Sequence, residues 1–173
     1  MVDEKLQSAL IGAGVASIGW FVTFFQQQYA KSREERRTFL KKQVEEFYEP
    51  LLALVQKKIH IQAMQDQRLI GETGQAWVTI IEHFEDNFIV PLMQQIGELL
   101  RTKPYLAIDW PSSFDQYLRH ESQSIALYQL WRKTGIPGRI ETEPWPPELE
   151  SDLKARKGRL EEQLRKQYGM RPF

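Results

Sequence analysis

The pattern of hydrophobic and polar positions divides the chain into an uncharged opening stretch and a longer region with a helical period. Residues 6–30 contain no charged side chain, and most positions from 6 to 25 are apolar or small. Beyond them, apolar residues recur every three or four positions with charges between them, which is typical of amphipathic helices. No segment shows the strict alternation of a half-buried strand, so the pattern predicts an all-α protein.

Proline and glycine positions divide the first half of the helical region. Pro50 should kink the opening helix or start a new one, because proline lacks an N–H donor and clashes with the preceding turn. The helix that follows is expected to end near Arg68, before a glycine-rich turn at 71–74. The next helix is predicted over 75–87, and Pro91 should break or bend it ahead of another apolar stripe. The inner face of this helix is expected to comprise Trp77, Ile80, Ile81, Phe84 and Phe88.

Two proline-rich loops separate the last two predicted helices. The first loop spans 103–112, and the helix after it should begin with Ser112 as its N-cap, with Asp115 in the capping-box position. Gly135 should end that helix. After a second loop, a last helix is predicted over 148–168. Four opposite-charge pairs are expected along it, namely Glu150–Lys154, Asp152–Arg156, Glu161–Arg165 and Glu162–Lys166.

The uncharged opening stretch is long enough to cross a bilayer. Twenty helical residues rise about 30 Å, which matches the hydrocarbon core of a membrane. A cleaved signal peptide would have a basic start and a shorter apolar stretch, whereas this chain begins Met-Val-Asp-Glu-Lys. We therefore predict an extracytoplasmic N-terminus at 1–5, a transmembrane helix at 6–28, a basic juxtamembrane helix at 29–49 and a cytosolic helical domain at 50–173. A signal peptide and a buried core helix are the alternatives.

Charges beside the opening stretch predict its orientation. Lys31, Arg33, Arg36 and Arg37 follow it closely, and basic residues near a span stay on the cytoplasmic side. The N-terminus is therefore expected outside the plasma membrane, with the lipid bilayer as a partner. The four basic side chains should contact anionic headgroups.

One side of the predicted span carries small and polar residues. Close approach of a second helix requires such a face, whereas lipid does not. We expect self-association into a homo-oligomer through it, and its polar members could line a pore. Small residues are also common in membrane helices generally, and that simpler interpretation stays open. The face comprises Ser8, Gly12, Ala16, Gly19, Thr23, Gln26 and Gln27.

Composition and motifs predict no catalytic residue, metal or cofactor. The 23 basic residues balance 23 acidic ones, which disfavours strong nucleic-acid binding, and the absence of cysteine excludes thiolate chemistry. The three histidines lack the Glu-x-x-His and His-Glu-x-x-His patterns. A metal or catalytic role at 82–86 or 119–121 is the alternative. Arg119 and His120 are adjacent and point about 100° apart on a helix, which disfavours one shared site.

Aromatic residues in the predicted loops are candidate contacts for a cytosolic protein partner. Such residues often anchor protein–protein interfaces. They can equally fill the core of a small helical domain. The candidates are Tyr105, Trp110 and Trp145.

The segment FLKKQVEEFYEPLLAL at 39–54 resembles one in small bacterial single-span membrane proteins, which carry an aromatic-Tyr-x-Pro-Leu sequence after a basic stretch. The matching residues are Phe47, Tyr48, Pro50, Leu51 and Leu52. The layout is also similar to the membrane-pore accessory proteins of type VI-B CRISPR systems, which join one N-terminal span to a HEPN-like helical domain.

This resemblance implies a non-catalytic effector or accessory that assembles into a pore in the bacterial inner membrane during phage defence. HEPN nucleases use an arginine and a downstream histidine with about four to six residues between them, and none of the histidines here has an arginine at that distance upstream. The alternatives are a membrane-tethered adaptor that recruits a soluble partner and a HEPN-like RNA-processing domain without the usual Arg/His motif.

Overall fold

A computed structural model describes residues 4–135 and 143–168, with side chains described from Trp20 onward. Within these ranges the chain is helical and contains no strand, which confirms the all-α prediction. The chain divides into two compact units, Met1–Leu40 and Lys41–Phe173. The helices are α1 (Glu4–Gln43), α2 (Glu49–Leu69), α3 (Gly74–Phe84), α4 (Val90–Thr102), α5 (Ser112–Thr134) and α6 (Leu149–Gln167).

The first unit consists of α1 up to residue 40. None of the helices in the described part of the chain has both the length and the apolar character that a membrane crossing requires. The predicted transmembrane helix at 6–28 is therefore not confirmed. Its positions up to 19 lie outside the residues with described side chains.

The core of the second unit lies where α2, α4, α5 and α6 pack together. Many of its side chains come from the predicted apolar stripes, whereas Leu106 comes from the predicted loop at 103–112, and burying each one contributes about 1.5–3 kcal/mol. The largest fully buried members are Tyr48, Tyr117, Phe47, Phe114, Leu51, Ile96, Leu100, Leu106, Leu149, Leu153, Leu160 and Val55.

Two π-helical turns, Val44–Tyr48 and Glu85–Ile89, each stand directly before a helix that opens with a proline. Directly before each proline, one residue donates its N–H to the carbonyl of the first residue of the turn. These bonds run from Glu49 to Val44 and from Val90 to Glu85. Pro50 and Pro91 thus start new helices, as predicted, in the first turn, where a missing N–H costs little. The sequence Phe-x-x-Pro-Leu occurs at both places, and this repeat is absent from the sequence-based predictions.

A lysine compensates for the missing donor at Pro50. The carbonyl four residues before a proline in a helix loses its usual N–H partner. Here that carbonyl belongs to Glu46, and it accepts a hydrogen bond from Lys103 Nζ at 3.3 Å. The same ammonium lies 3.8 Å from the Glu46 carboxylate. The end of α4 is thereby tied to the first π turn.

The apolar face of α3 differs from the prediction, because α3 contains no buried residue. Trp77 and Phe88 are 38% and 39% exposed, while Ile80, Ile81 and Phe84 are half-buried. The stripe is present, but within the described residues only part of it is covered.

The start of α5 also differs from the prediction. Pro111 occupies the N-cap position, Ser112 is already helical, and no side chain caps the helix. Asp115 accepts a hydrogen bond from Trp110 Nε1 at 2.8 Å, so its carboxylate is used by the preceding loop. The end of α5 agrees with the prediction, because Gly135 adopts a left-handed φ of 65°.

Two of the four ion pairs predicted along α6 are present. Glu150–Lys154 and Glu162–Lys166 are both 2.7 Å long. Asp152 instead accepts from the Ser113 hydroxyl at 2.6 Å. Glu161 pairs with Lys157 at 3.5 Å rather than with Arg165. The helix ends at Gln167 with Tyr168 as its C-cap, close to the predicted end at 168.

Candidate functional site

In its uncharged part, α1 exposes a series of large aromatic side chains. Trp20, Phe21, Phe24, Phe25 and Tyr29, here called the aromatic surface, are between 41% and 67% exposed. Trp20 stacks on Phe24 with ring centroids 5.4 Å apart, and Phe21 stacks on Phe25 at 6.5 Å. An exposed apolar surface of this kind indicates contact with lipid or with another protein.

The basic segment that follows the aromatic surface pairs partly with its own acids. The Arg33 guanidinium lies 5.6 Å from the ring centroid of Tyr29, and Arg36 is exposed. Exposed contacts of this type contribute about 1 kcal/mol or less. A phosphate-rich surface could therefore recruit these cations at small cost. Within the basic segment, Lys31 pairs with Glu35 at 3.9 Å and Arg37 pairs with Glu34 at 3.5 Å.

The predicted packing face of the span is described only at its inner end. Thr23, Gln26 and Gln27 are exposed on α1. The proposed close approach of helices stays a prediction. The other four members, Ser8, Gly12, Ala16 and Gly19, lie outside the residues with described side chains.

The three loop aromatics occupy different environments. Tyr105 is 66% exposed. Trp110 is 37% exposed and donates to Asp115, as described above. Trp145 is half-buried, and its ring meets that of Tyr117 edge-on at 5.4 Å. Trp145 therefore helps to hold its own domain together, and Tyr105 is the most exposed of the three.

The aromatic-Tyr-x-Pro-Leu segment contributes to the core of the second unit. Phe47, Tyr48 and Leu51 have no exposed surface. The Tyr48 hydroxyl accepts the Ile108 N–H at 2.9 Å and donates to the Ile108 carbonyl at 3.5 Å. Arg156 donates to the same carbonyl. Burial raises the pKa of Tyr48, so the hydroxyl stays protonated and can donate. This segment therefore fixes the loop before α5.

A buried lysine on α2 lies beside a shallow surface groove. Lys58 is 7% exposed, its ammonium lies 4.3 Å from the Trp145 ring centroid, and it donates to Gln62 Oε1 at 3.3 Å. Burial lowers the pKa of Lys58, and the more distant Asp66 and Glu85 carboxylates partly oppose this effect. The groove has a volume of about 480 Å³ and also includes Asp66. The Lys58 ammonium is held mainly by the face of the Trp145 ring and by the Gln62 side-chain amide. Its contact with Trp145 connects α2 to the loop before α6.

Sequence reasoning missed Lys58, although its spacing carried a signal. Leu51, Val55 and Lys58 succeed one another at steps of four and three residues. Lys58 therefore continues the buried stripe of α2. A lysine at a buried position of such a stripe needs a partner inside the domain, because lysine is almost never fully buried without one.

Arg119 and His120 both contact Glu143. His120 Nδ1 donates to the Glu143 carbonyl at 2.7 Å, and Arg119 lies 3.4 Å from the Glu143 carboxylate. The two side chains do diverge, but Glu143 offers its backbone and its side chain in different directions. Burial lowers the pKa of His120, and the Lys58 charge adds to this effect.

The charged group at 82–86 is held by hydrogen bonds and ion pairs. Arg132 pairs with both Glu82 and Asp86. His83 is exposed and lies 3.4 Å from the side-chain amide of Asn87. Within the described ranges, no three histidine, aspartate or glutamate side chains are placed to hold a metal ion.

Comparison with protein-family models, with curated proteins and with solved structures finds no match for this chain.

Proposed function

We propose that this chain is a single-span protein of the bacterial inner membrane, with its N-terminus outside and its helical domain in the cytosol. The observation that carries this proposal is the exposed aromatic surface on α1, which lies within a stretch of 25 residues without charge, from 6 to 30. Trp and Tyr are enriched where a membrane helix meets water, and phenylalanine is favoured within the hydrocarbon core. The basic segment follows on the side that the positive-inside rule assigns to the cytoplasm.

Burial of the aromatic surface in lipid would contribute several kcal/mol to membrane insertion. Full burial of one large apolar side chain contributes about 1.5–3 kcal/mol, and these five side chains are roughly half exposed. Transfer of these five side chains into lipid therefore contributes on the order of 4–8 kcal/mol, before the preceding residues of the span are counted. Contact of Lys31, Arg33, Arg36 and Arg37 with anionic headgroups would add about 1 kcal/mol each.

Self-assembly through the small-residue face of the span is the second part of the proposal. In lipid, helices associate where small residues allow backbones to approach closely. Together with the resemblance to pore-forming accessory proteins, this face supports a homo-oligomer that permeabilises the membrane as a non-catalytic effector of phage defence. Thr23, Gln26 and Gln27 would face the lumen of such an assembly.

The test of self-assembly compares two double variants on opposite faces of the span. Gly12→Leu with Gly19→Leu enlarges the proposed contact face, whereas Val15→Leu with Ile18→Leu adds or rearranges methyl groups on the other face. Mass photometry of the purified full chain in a maltoside detergent should show an oligomer for the wild type and the control, and a monomer for the glycine variant. A monomeric wild type or an unchanged glycine variant would rule out this interface.

Pore formation has its own assay. The wild-type chain reconstituted into dye-loaded anionic liposomes should release the dye, and the glycine variant should release it several-fold more slowly at equal protein content. If the oligomeric wild type leaves the vesicles sealed, assembly stands and the proposed permeabilising role is wrong.

A further inference from the structure

A groove between α3 and α5 is lined by aromatic rings and one carboxylate. Its volume is about 270 Å³, close to the lower end of the range of about 300–1,000 Å³ that is typical of small-ligand pockets. One wall comes from the uncovered face of α3 and the π turn after it, and the other comes from α5. The lining includes Trp77, Ile81, Glu85, Leu127, Tyr128 and Trp131.

Three of the lining side chains present aromatic surface to the same space. The ring centroids of Tyr128 and Trp131 are 5.7 Å apart and their planes are inclined by 62°, an edge-to-face contact in which both rings still border the groove. Trp77, on the opposite wall, is 38% exposed. The face of an aromatic ring carries negative electrostatic potential, and several rings around one space form the cage that binds quaternary ammonium groups in proteins.

Among the described residues, the Glu85 carboxylate in the groove forms no ion pair. Gln65 donates a hydrogen bond to Glu85, and Lys58 attracts Glu85 only at longer range. Burial raises the pKa of Glu85, because the ionised carboxylate lies in mostly apolar surroundings. A cation in the groove would therefore stabilise the ionised form of Glu85.

The rim of the groove is also acidic. Arg132 on α5 pairs with Glu82 and Asp86, and Asp86 additionally accepts a hydrogen bond from the Tyr128 hydroxyl at 2.7 Å. Among the described residues, Glu82, Glu85 and Asp86 thus outnumber the cations that act on them, which are Arg132 and the more distant Lys58. The charge around the groove favours a positively charged ligand over an anion.

We propose that this groove binds a small quaternary ammonium compound of the choline type. A primary ammonium would need three hydrogen-bond acceptors, whereas the lining is mostly apolar. A quaternary ammonium carries no N–H group, so its methyl groups can pack against Trp77, Tyr128 and Trp131 while Glu85 balances its charge. The ligand is a free small molecule, and phospholipid headgroups of the same chemistry are tested separately.

The first experiment compares two ligands of equal shape. Choline and its uncharged analogue, in which carbon replaces the nitrogen, are titrated into the full chain by calorimetry in a maltoside detergent, which contains no quaternary ammonium. Choline should bind saturably, and the uncharged analogue should bind at least about tenfold more weakly. Equal affinity for the two compounds, or no saturable binding of choline, would overturn the proposal.

The second experiment identifies the residues responsible. Glu85→Gln and Trp77→Leu should each weaken choline binding about tenfold, Trp77→Phe should retain most of it, and Tyr105→Leu at an exposed position outside the groove should leave it unchanged. Thermal melts identify the variants that remain folded. Full choline affinity in both Glu85→Gln and Trp77→Leu would contradict the assignment. Binding to phosphatidylcholine vesicles without binding to free choline would also contradict it.

Discussion

The carboxylate of Glu121 occupies the space that a β-carbon on Gly97 would need. A Cβ built on Gly97 would overlap all three carboxyl atoms of Glu121. Glu121 is 3% exposed, and Arg101, one helical turn after Gly97, pairs with this carboxylate. Glycine at position 97 therefore allows α4 and α5 to enclose the Glu121 carboxylate, whose partner Arg101 stays about half exposed.

The first prediction concerns the sign of two glycine substitutions. Gly97→Ala should destabilise the protein by about 1–2 kcal/mol, because overpacking against Glu121 costs about 1–3 kcal/mol and alanine returns up to about 1 kcal/mol of helix propensity. Gly158→Ala in α6 is the matched control, because a Cβ there meets no atom within 4 Å. The control should stabilise the protein by about 0.5–1 kcal/mol. Urea unfolding followed by circular dichroism measures both.

A double-mutant cycle locates the cause of the effect at position 97. In a Glu121→Ala background the space beside Gly97 is open, so Gly97→Ala should no longer destabilise the protein. An equal cost in both backgrounds would show that the carboxylate is not what excludes the side chain.

The second prediction concerns the Tyr48 hydroxyl. Tyr48→Phe should cost about 1–2 kcal/mol, because the Ile108 N–H loses its acceptor while the Ile108 carbonyl keeps Arg156. Tyr105→Phe removes the same hydroxyl from a side chain that is 66% exposed, so it should change stability by less than about 0.5 kcal/mol. If the two variants unfold at the same urea concentration, the hydrogen bond to Ile108 contributes nothing.

The third prediction concerns the pH dependence of stability at His120. Burial holds the folded-state pKa of His120 below its ordinary value of 6.5, so the unfolded chain takes up a proton first as the pH falls. The stability that depends on neutral His120 is present above about pH 6.5 and is lost below it. Wild-type protein should therefore lose more stability than His120→Gln between about pH 7 and 5.5. The difference should stay below about 1 kcal/mol, because solvent partly screens the ring.

The exposed His60 provides the control for this measurement. His60→Gln makes the same substitution at an exposed position on α2 and provides the reference for the general effect of replacing a histidine. If His120→Gln and the wild type lose stability in parallel, then protonation of His120 does not oppose folding.

Proline and glycine positions made the helix boundaries predictable from sequence. Pro50 and Pro91 fix φ and lack an N–H donor, Gly135 tolerates the left-handed φ that ends α5, and each marks a boundary where it was expected. The π turns before the two prolines were missed, because a single inserted residue barely changes apolar spacing. The lack of space for a side chain at position 97 could not be predicted from the sequence, because it depends on the distance between α4 and α5.

Helical spacing could identify apolar faces, but it could not show what covers them. The face of α3 has the expected period, yet Trp77 is 38% exposed and lines a groove. The reverse holds for Trp145, which lies between prolines in the sequence but packs against Tyr117 and Lys58. Whether an aromatic residue packs in the core or stays exposed to a partner depends on its tertiary contacts, which the local sequence does not reveal.

The central claim is that the uncharged stretch at 6–28 crosses the membrane once, and cysteine labelling tests it most directly. The chain contains no cysteine, so Val2→Cys and Tyr105→Cys each provide one reactive thiol on a silent background. In intact spheroplasts, a membrane-impermeant maleimide should label the Val2→Cys variant and should label the Tyr105→Cys variant only after lysis. Labelling of both variants only after lysis, with the protein recovered in the soluble fraction, would contradict the account.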